Sequence, residues 1–379
     1  MKKNSIVKQS PKRARARTQE PITIGMDLGD KTSRYCVLDD TGEPKSEGSV
    51  ATTKKAMIQK FSGMRRCRVA IEVGTHSPWV SRLLTELGFE VIVANARKVR
   101  LISTSSSKND RLDARLLARL VRVDPQLVSP IRHRSEAAQA DLVMIRVRAL
   151  LVEARTSLIN GARGFSKAQG DRLPKCDADT MGVEQMEALP AQMQTILRPL
   201  LEEVEGLTKK IQQLDASLEQ IARTKYPETK LLKQVSGVGT LIALTFVLTV
   251  EDRNRFEKSR DVGCYVGLRP RQSDSGQRQP QLRITKEGDM YLRKLLVQGA
   301  HGILRRNGPD TDLKRWGMKL AERGGKNAKK RAVVAVARKL AVLLHKLWVC
   351  GEVYEPLRNS LAREEQQQRQ RKRERRTAA

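Results

Sequence analysis

Four carboxylates in the first third of the chain offer the most chemistry. Asp27 closes "ITIGMD", Glu72 closes "RVAIE", and Asp110 and Asp113 lie three apart in "KNDRLDARLLARL". Strand alternation sends Ile22, Ile24 and Met26 to one side and Thr23, Gly25 and Asp27 to the other. In the second segment Val69, Ile71 and Val73 oppose Ala70, Glu72 and Gly74. Each acid therefore has the smallest side chains beside it, and that space suits a metal and a phosphate. Asp110 and Asp113 share one helix face at i,i+3 spacing, so a helix crossing the strand ends would bring four carboxylates together. Such a group repels itself unless cations neutralise it, and ligation by oxygen alone suits Mg²⁺ or Mn²⁺. Two ions roughly 4 Å apart could clamp the attacking and leaving oxygens of a phosphodiester. The plainer alternative pairs Asp110 and Asp113 with Arg111, Arg115 or Arg119 on a solvated helix.

A second candidate is a hydroxyl. In "GLRPRQSDSGQRQPQLRITKEGD" (267–289), Ser275 stands among Arg269, Arg271, Arg278, Arg283 and Lys286, which could hold a scissile phosphate. No histidine lies nearby to act as base, so the serine proton must go to another group. "SDSG" is also an ordinary turn sequence, and Ser273 is the competing assignment. Gly237 and Gly239, in "VSGVGT", resemble the turn of a helix-hairpin-helix, where helix-end amides can face a phosphate, and a plain helix-turn-helix packing unit is the alternative. His76 reads as a residue opening a helix at Ser77-Pro78 rather than as a ligand, and Cys264 as a small core residue.

These residues need elements to position them. Alternating and helical spacing gives β-β-β-α-β-α-β-α from Ile22 to about Arg134, an α/β layer ending in the helix that carries Asp110 and Asp113. From 135 to 226 the pattern is helical, with coiled-coil-like leucine spacing in 198–222 and an irregular break at 166–182. From 227 to 358 the chain reads as a mainly α domain holding the glycine turn, the serine loop and helices near 289–305, 311–323 and 327–350. Residues 1–21 form a basic arm without the apolar core of a secretion signal, and 359–379 a basic low-complexity tail; both are expected to be disordered.

Composition narrows the function. Among 379 residues, 73 Lys and Arg face 42 Asp and Glu, a formal charge of +31. Such a field draws a polyanion, with nucleic acid first. A membrane-spanning protein is not indicated, because the longest apolar run, "LIALTFVLTV", falls well short of the roughly 20 residues required. Five cysteines without CxxC spacing and four histidines argue against a disulfide framework or a zinc cluster and fit a reducing cytoplasm. Aromatics are 3% of residues, so backbone phosphate contact outweighs base stacking.

"IGMDLGDKTSRYCVLDDTGE", "VAIEVGTHSPWV" and "KNDRLDARLLA" resemble the three acidic motifs of the DEDD transposases of insertion-sequence family one-hundred-and-ten, relatives of the pilin invertases. The likeness continues through 235–304 and spans Ile24 to about Leu357. It implies an RNase H-like, RuvC-like N-terminal domain in which Asp27, Glu72, Asp110 and Asp113 hold metal. It further implies that Ser275, in the "SG" of the loop, is a nucleophile, and that a bridge RNA pairs with donor and target DNA. The expected activity is breakage and rejoining of DNA strands through a phosphoserine intermediate, by a dimer or tetramer bound to the bacterial nucleoid. Two alternatives remain open on the residues alone: a metal-dependent junction resolvase using water, and a non-catalytic nucleic-acid scaffold.

Overall fold

The computed structural model describes residues 22–97, 110–278, 280 and 282–360. The basic arm and residues 361–379 of the tail lie outside them. The chain forms two compact units, one ending at Arg134 and the next beginning at Ser135.

The first unit is built on a five-stranded mixed sheet of order β3-β2-β1-β4-β5. Its strands are β1 (Thr23–Asp27), β2 (Thr32–Leu38), β3 (Pro44–Ala51), β4 (Arg68–Glu72) and β5 (Glu90–Ala94). Tight connections make β1, β2 and β3 an antiparallel meander, while β1-β4 and β4-β5 are parallel. Each parallel step spends a helix on the crossover: α1 (Lys54–Phe61) before β4 and α2 (Ser77–Glu86) before β5. The expected element order is thus observed.

Both faces of the sheet are covered. Ile24, Met26, Val69 and Ile71 pack with Met57 and Phe61 of α1 and Val80 and Leu84 of α2. The opposite face carries α3 (Asp110–Val123). Its buried Ala114, Leu117, Ala118 and Val121 follow the 3.6-residue period. Burying Leu117 and Val121 contributes about 1.5–3 kcal/mol each.

The second unit is mainly helical. Long helices α4 (Glu136–Ala168) and α5 (Ala191–Thr224) pair, and the irregular stretch between them is closed by Arg155, which donates to Asp179 at 2.6 Å and to Thr208 at 3.1 Å. There follow α6 (Thr229–Leu232), α7 (Thr240–Val250), α8 (Val262–Tyr265), α9 (Met290–Ile303), α10 (Asp312–Glu322) and α11 (Ala328–Cys350). The apolar run "LIALTFVLTV" becomes α7, buried along almost its whole length at the centre of this unit. Ala138, Leu142 and Ile145 of α4 and Leu218 and Ala222 of α5 share that core with α9 and α11, so one end of the helical pair is continuous with the C-terminal helices. Among the described residues no helix is long and apolar enough to cross a membrane.

Candidate functional site

The acidic end of the first unit follows from strand register. β1 and β4 run parallel with Gly25 beside Ala70 and Met26 beside Ile71. One step further, Asp27 and Glu72 end neighbouring strands whose axes lie about 4.8 Å apart. Both side chains are half-buried, and alternation puts them on the same face as Gly25 and Ala70.

That face is where α3 docks, which corrects one reading of the sequence. Gly25 and Ala70 do not leave an open space for an ion and a phosphate, whereas a Cβ at Gly74 would meet nothing within 4 Å. A Cβ at Gly25 would stand 2.0 Å from the Ala114 carbonyl oxygen and 2.5 Å from the Ala118 amide nitrogen. Ala70 is buried against Leu117 and Val121. The missing side chains admit a helix backbone, and the helix is the element that bears the other two acids.

The direction of α3 matters as much as its closeness. At its C-terminal end the Val121 carbonyl accepts from Nη1 of Arg68, the first residue of β4, at 3.3 Å. Its middle lies on Gly25. The helix therefore runs against β1 and β4, and its N-terminal residues lie toward the strand ends that carry Asp27 and Glu72. Two strand residues advance about 6.6 Å from Gly25 to Asp27. Four helical residues advance about 6 Å from Ala114 back to Asp110. Asp113, half-buried, lies one residue from the contact. The side chain of Asp110 lies outside the described residues. Among the described residues no group of three or more His, Cys, Asp or Glu side chains gathers as a metal site, and the expected set of four includes that Asp110 carboxylate.

Two arginines of α3 have partners on β3 or the turn before it. Arg115 reaches Glu47 of β3 at 2.6 and 3.0 Å, and Arg119 approaches Glu43 at 3.8 Å. The first pair fixes the rotation of α3 about its axis. Glu47 is also opposite Cys36 on β2, and burial, then the Glu47 charge, push the Cys36 thiol upward. Reading acids and motifs alone missed this pair, whose signal was a charged Glu47 within a strand. It also missed Arg34, which stands directly across β2 from Asp27.

His76 opens α2, as expected. Its Nδ1 accepts from Trp79 Nε1 at 3.1 Å, and Nε2 lies 3.5 Å from Asp30. Nearby, Ser77 Oγ and His133 Nε2 are 2.9 Å apart. Burial, then Arg82 and Arg134, hold the His133 ring below its usual basicity.

In the second unit the serine segment is a hairpin rather than an open loop. Backbone bonds join Arg271 to Arg283 and Thr285 to Arg269 at 2.9 Å each, with Pro270 opposite Ile284. At the tip Ser275 and Arg278 exchange both backbone bonds, at 3.1 and 3.0 Å, around Gly276 and Gln277. Gly276 has φ +54°, which suits the first central residue of a II′ turn. Ser275, Arg269, Arg271, Arg278, Arg283 and Lys286 are all exposed. Arg269 donates to Gln272, and among the described residues none of the five cations joins an ion pair. Ser273 is exposed in the same hairpin, outside the bonded tip pair.

The two glycines of the expected helix-hairpin-helix differ. α6 before them is a single turn. Gly237, φ +83°, packs on α9: a Cβ there would meet the Gly299 carbonyl at 2.7 Å. Gly239 caps α7 with open space around it. Cys264 sits half-buried in α8.

The first unit thus ends neighbouring strands in Asp27 and Glu72, and the second presents an exposed serine among cations. Comparison with known proteins gives the class and then the family. Residues 24–165 match the DEDD transposase model of the IS110 type, and residues 229–314 the model described as the transposase IS116/IS110/IS902 family. A probable family 20 transposase of Pseudomonas aeruginosa is 30% identical over 312 residues, covering 80% of this chain and 90% of that protein. The transposase for insertion sequence element IS1111A of Coxiella burnetii is 28% identical over 353 residues, covering 90% of this chain and 93% of that protein. That for element IS1328 of Yersinia enterocolitica is 29% identical over 287 residues, covering 75% and 84%. The chain belongs to the IS110 family of transposases.

Proposed function

We propose that this transposase breaks and rejoins the DNA strands of an insertion sequence through a phosphoserine bond to Ser275, with Asp27, Glu72, Asp110 and Asp113 as ligands of Mg²⁺ or Mn²⁺. One observation carries the acidic half. The backbone of α3 is seated on Gly25 and runs against β1 and β4, so the helix end bearing two acids lies toward the strand ends bearing the other two. The strand order, with its antiparallel meander and parallel β4 and β5, supports an RNase H-like, RuvC-like reading of this unit. A carboxylate-only donor set fits a hard divalent cation. When bound, that ion would supply positive charge for the oxygens of a phosphodiester.

The hairpin suits the serine for its part. Ser275 Oγ would form a bond to phosphorus while the bond from phosphorus to one sugar oxygen breaks, and that oxygen leaves carrying a proton. Attack by a different sugar hydroxyl reverses the step and returns the serine hydroxyl. One phosphodiester is exchanged for another, so no ATP is needed. The exposed Arg269, Arg271, Arg278, Arg283 and Lys286 would hold the phosphate and offset its developing charge. Gly239, at the open start of α7, would offer backbone amides to a phosphate in a helix-hairpin-helix. We also assign to this reading a bridge RNA, a dimer or tetramer acting on donor and target DNA, and a cytoplasmic location. The overall charge of +31 favours such polyanions.

A nicked suicide substrate tests the chemistry. The full chain should become covalently attached to DNA, Ser275→Ala should abolish the adduct, and Ser273→Ala should keep it. Cleavage without any adduct would instead point to a water-using nuclease. If Asp27→Ala and Asp113→Ala left all activity intact, the acidic site would be excluded. Sequencing of copurifying RNA tests the guide.

A further inference from the structure

The helix α11 carries Lys329, Lys330, Arg331, Arg338, Lys339 and Lys346, and no Asp or Glu anywhere along its 23 residues. Its inner side is apolar: Ala332, Val333, Val336, Leu340 and Leu344 are buried in the core of the second unit. Opposite that side Arg331, Lys339 and Lys346 are exposed, and Lys329 and Lys330, which fall on the azimuth of the buried Leu347 and Trp348, are exposed at the helix start. Lys326 in the preceding turn, and Lys319 and Arg323 toward the end of α10, are exposed as well. Of the nearby acids, Glu322 at the end of α10 is exposed and Glu352 is engaged by Arg358 at 2.8 Å. Asp310 is engaged by Arg315 at 2.6 Å, and Asp312 accepts from the Asn359 amide at 2.7 Å. No ion pair among the described residues involves Lys319, Lys326, Lys329, Lys330 or Lys346.

The order of these charges opposes the helix itself. Cations stabilise the C-terminal turn and disfavour the first, by about 0.3–1 kcal/mol each when exposed. Here the last turn has no basic residue, while Lys329, Lys330 and Arg331 crowd the first. A surface that is self-repelling in isolation becomes favourable against a polyanion, which releases its counterions on contact. The nature of that polyanion is narrowed by Trp316. Lys339 Nζ lies over its ring at 3.9 Å from the centroid, so one ring face is already occupied by a cation and backbone contact is favoured over stacking of unpaired bases. From Arg331 to Lys346 the helix advances about 22 Å, the rise of six or seven base pairs at about 3.4 Å each.

We propose that the exposed cations of α11, from Lys329 and Lys330 at its start to Arg331, Lys339 and Lys346 on its outer side, together with Lys326, form a DNA-contact surface that grips the backbone of a duplex. The proposal does not depend on which side chain cuts the strand.

Binding of the full chain to a fluorescent 30-base-pair duplex, titrated across salt concentrations, tests it. The triple variant Lys326→Gln/Lys329→Gln/Lys330→Gln should bind at least about tenfold more weakly near 0.15 M salt. Its slope of log affinity on log salt should flatten by about 2–3, at about 0.9 per phosphate contact. The matched triple Lys326→Arg/Lys329→Arg/Lys330→Arg should retain affinity. A control that removes three exposed lysines elsewhere in the unit, Lys167→Gln/Lys209→Gln/Lys210→Gln, should change affinity less than threefold. Equal losses in the two Gln triples would reduce the effect to overall charge and overturn the assignment. So would an unchanged slope in the α11 variant, or a loss confined to duplex RNA. Circular dichroism melting of each variant separates binding loss from unfolding.

Discussion

The acidic end of the first unit and the serine hairpin of the second are held by opposite means. Asp27 and Glu72 end strands in the middle of a sheet, and α3 is seated so closely that not even a methyl group fits at Gly25. Position there is set by packing, which tolerates little error. Ser275 instead sits at a tip where every side chain from Arg271 to Arg278 is exposed and where paired backbone bonds join it to Arg278. A Cβ at Gly276 would meet nothing within 4 Å. Rigid placement suits ligands that must converge, whereas an exposed cationic tip suits a group that must reach into a substrate.

This contrast can be broken in graded ways. The largest effects are on activity: Ser275→Ala and Asp27→Asn should each lower strand exchange on the order of 10³-fold or more, assayed on paired duplexes. Melting of Ser275→Ala should stay within about 0.5 kcal/mol of the parent, as for an exposed residue. Next comes Gly25→Val, which should cost about 3 kcal/mol in urea denaturation, because the added side chain must displace α3. Gly276→Ala should cost only about 1–2 kcal/mol, for a left-handed backbone with free space around it. Equal costs at the two glycines would remove the distinction between packed and presented sites.

Smaller still is the double change Arg271→Gln/Arg283→Gln. It should leave stability intact and flatten the salt dependence of DNA binding by about 2, at about 0.9 per contact. The smallest effect is on pH dependence. Burial holds His133 in the first unit and His345 in the second below the ordinary value of 6.5. Each favours the folded chain while neutral, so stability is full above pH 6.5 and declines as pH falls through and below it. His133→Gln should flatten that decline; urea midpoints between pH 7.5 and 5 would show it, and an unchanged slope would discard the assignment.

Much of the first unit was legible because strand and helix periods are written locally. Ile24, Met26, Val69 and Ile71 alternate plainly, and Gly88, just past α2, stops a helix where a positive φ of +89° is needed. The purpose of the small neighbours was not legible. Gly25 and Ala70 look like vacancies in one dimension, and only a helix arriving from nearly ninety residues later shows them to be a seat. Gly237 likewise makes a close approach to Gly299 of α9 that its local spacing does not record. The serine hairpin escaped because two short bridges in a polar stretch leave no hydrophobic alternation to read.

The sequence by itself determined which groups exist and at what local spacing: the acids, the serine among cations, the acid-free basic helix, and the residue periods that make strands and helices. These depend on neighbours a few positions apart, where covalent geometry dictates direction. Tertiary structure alone decided that α3 runs against β1 and β4, that Glu47 rather than a nearby acid takes Arg115, and that the serine is held at a tip. Those choices bring together residues tens of positions apart, and they are settled by close packing and burial, which no local period encodes.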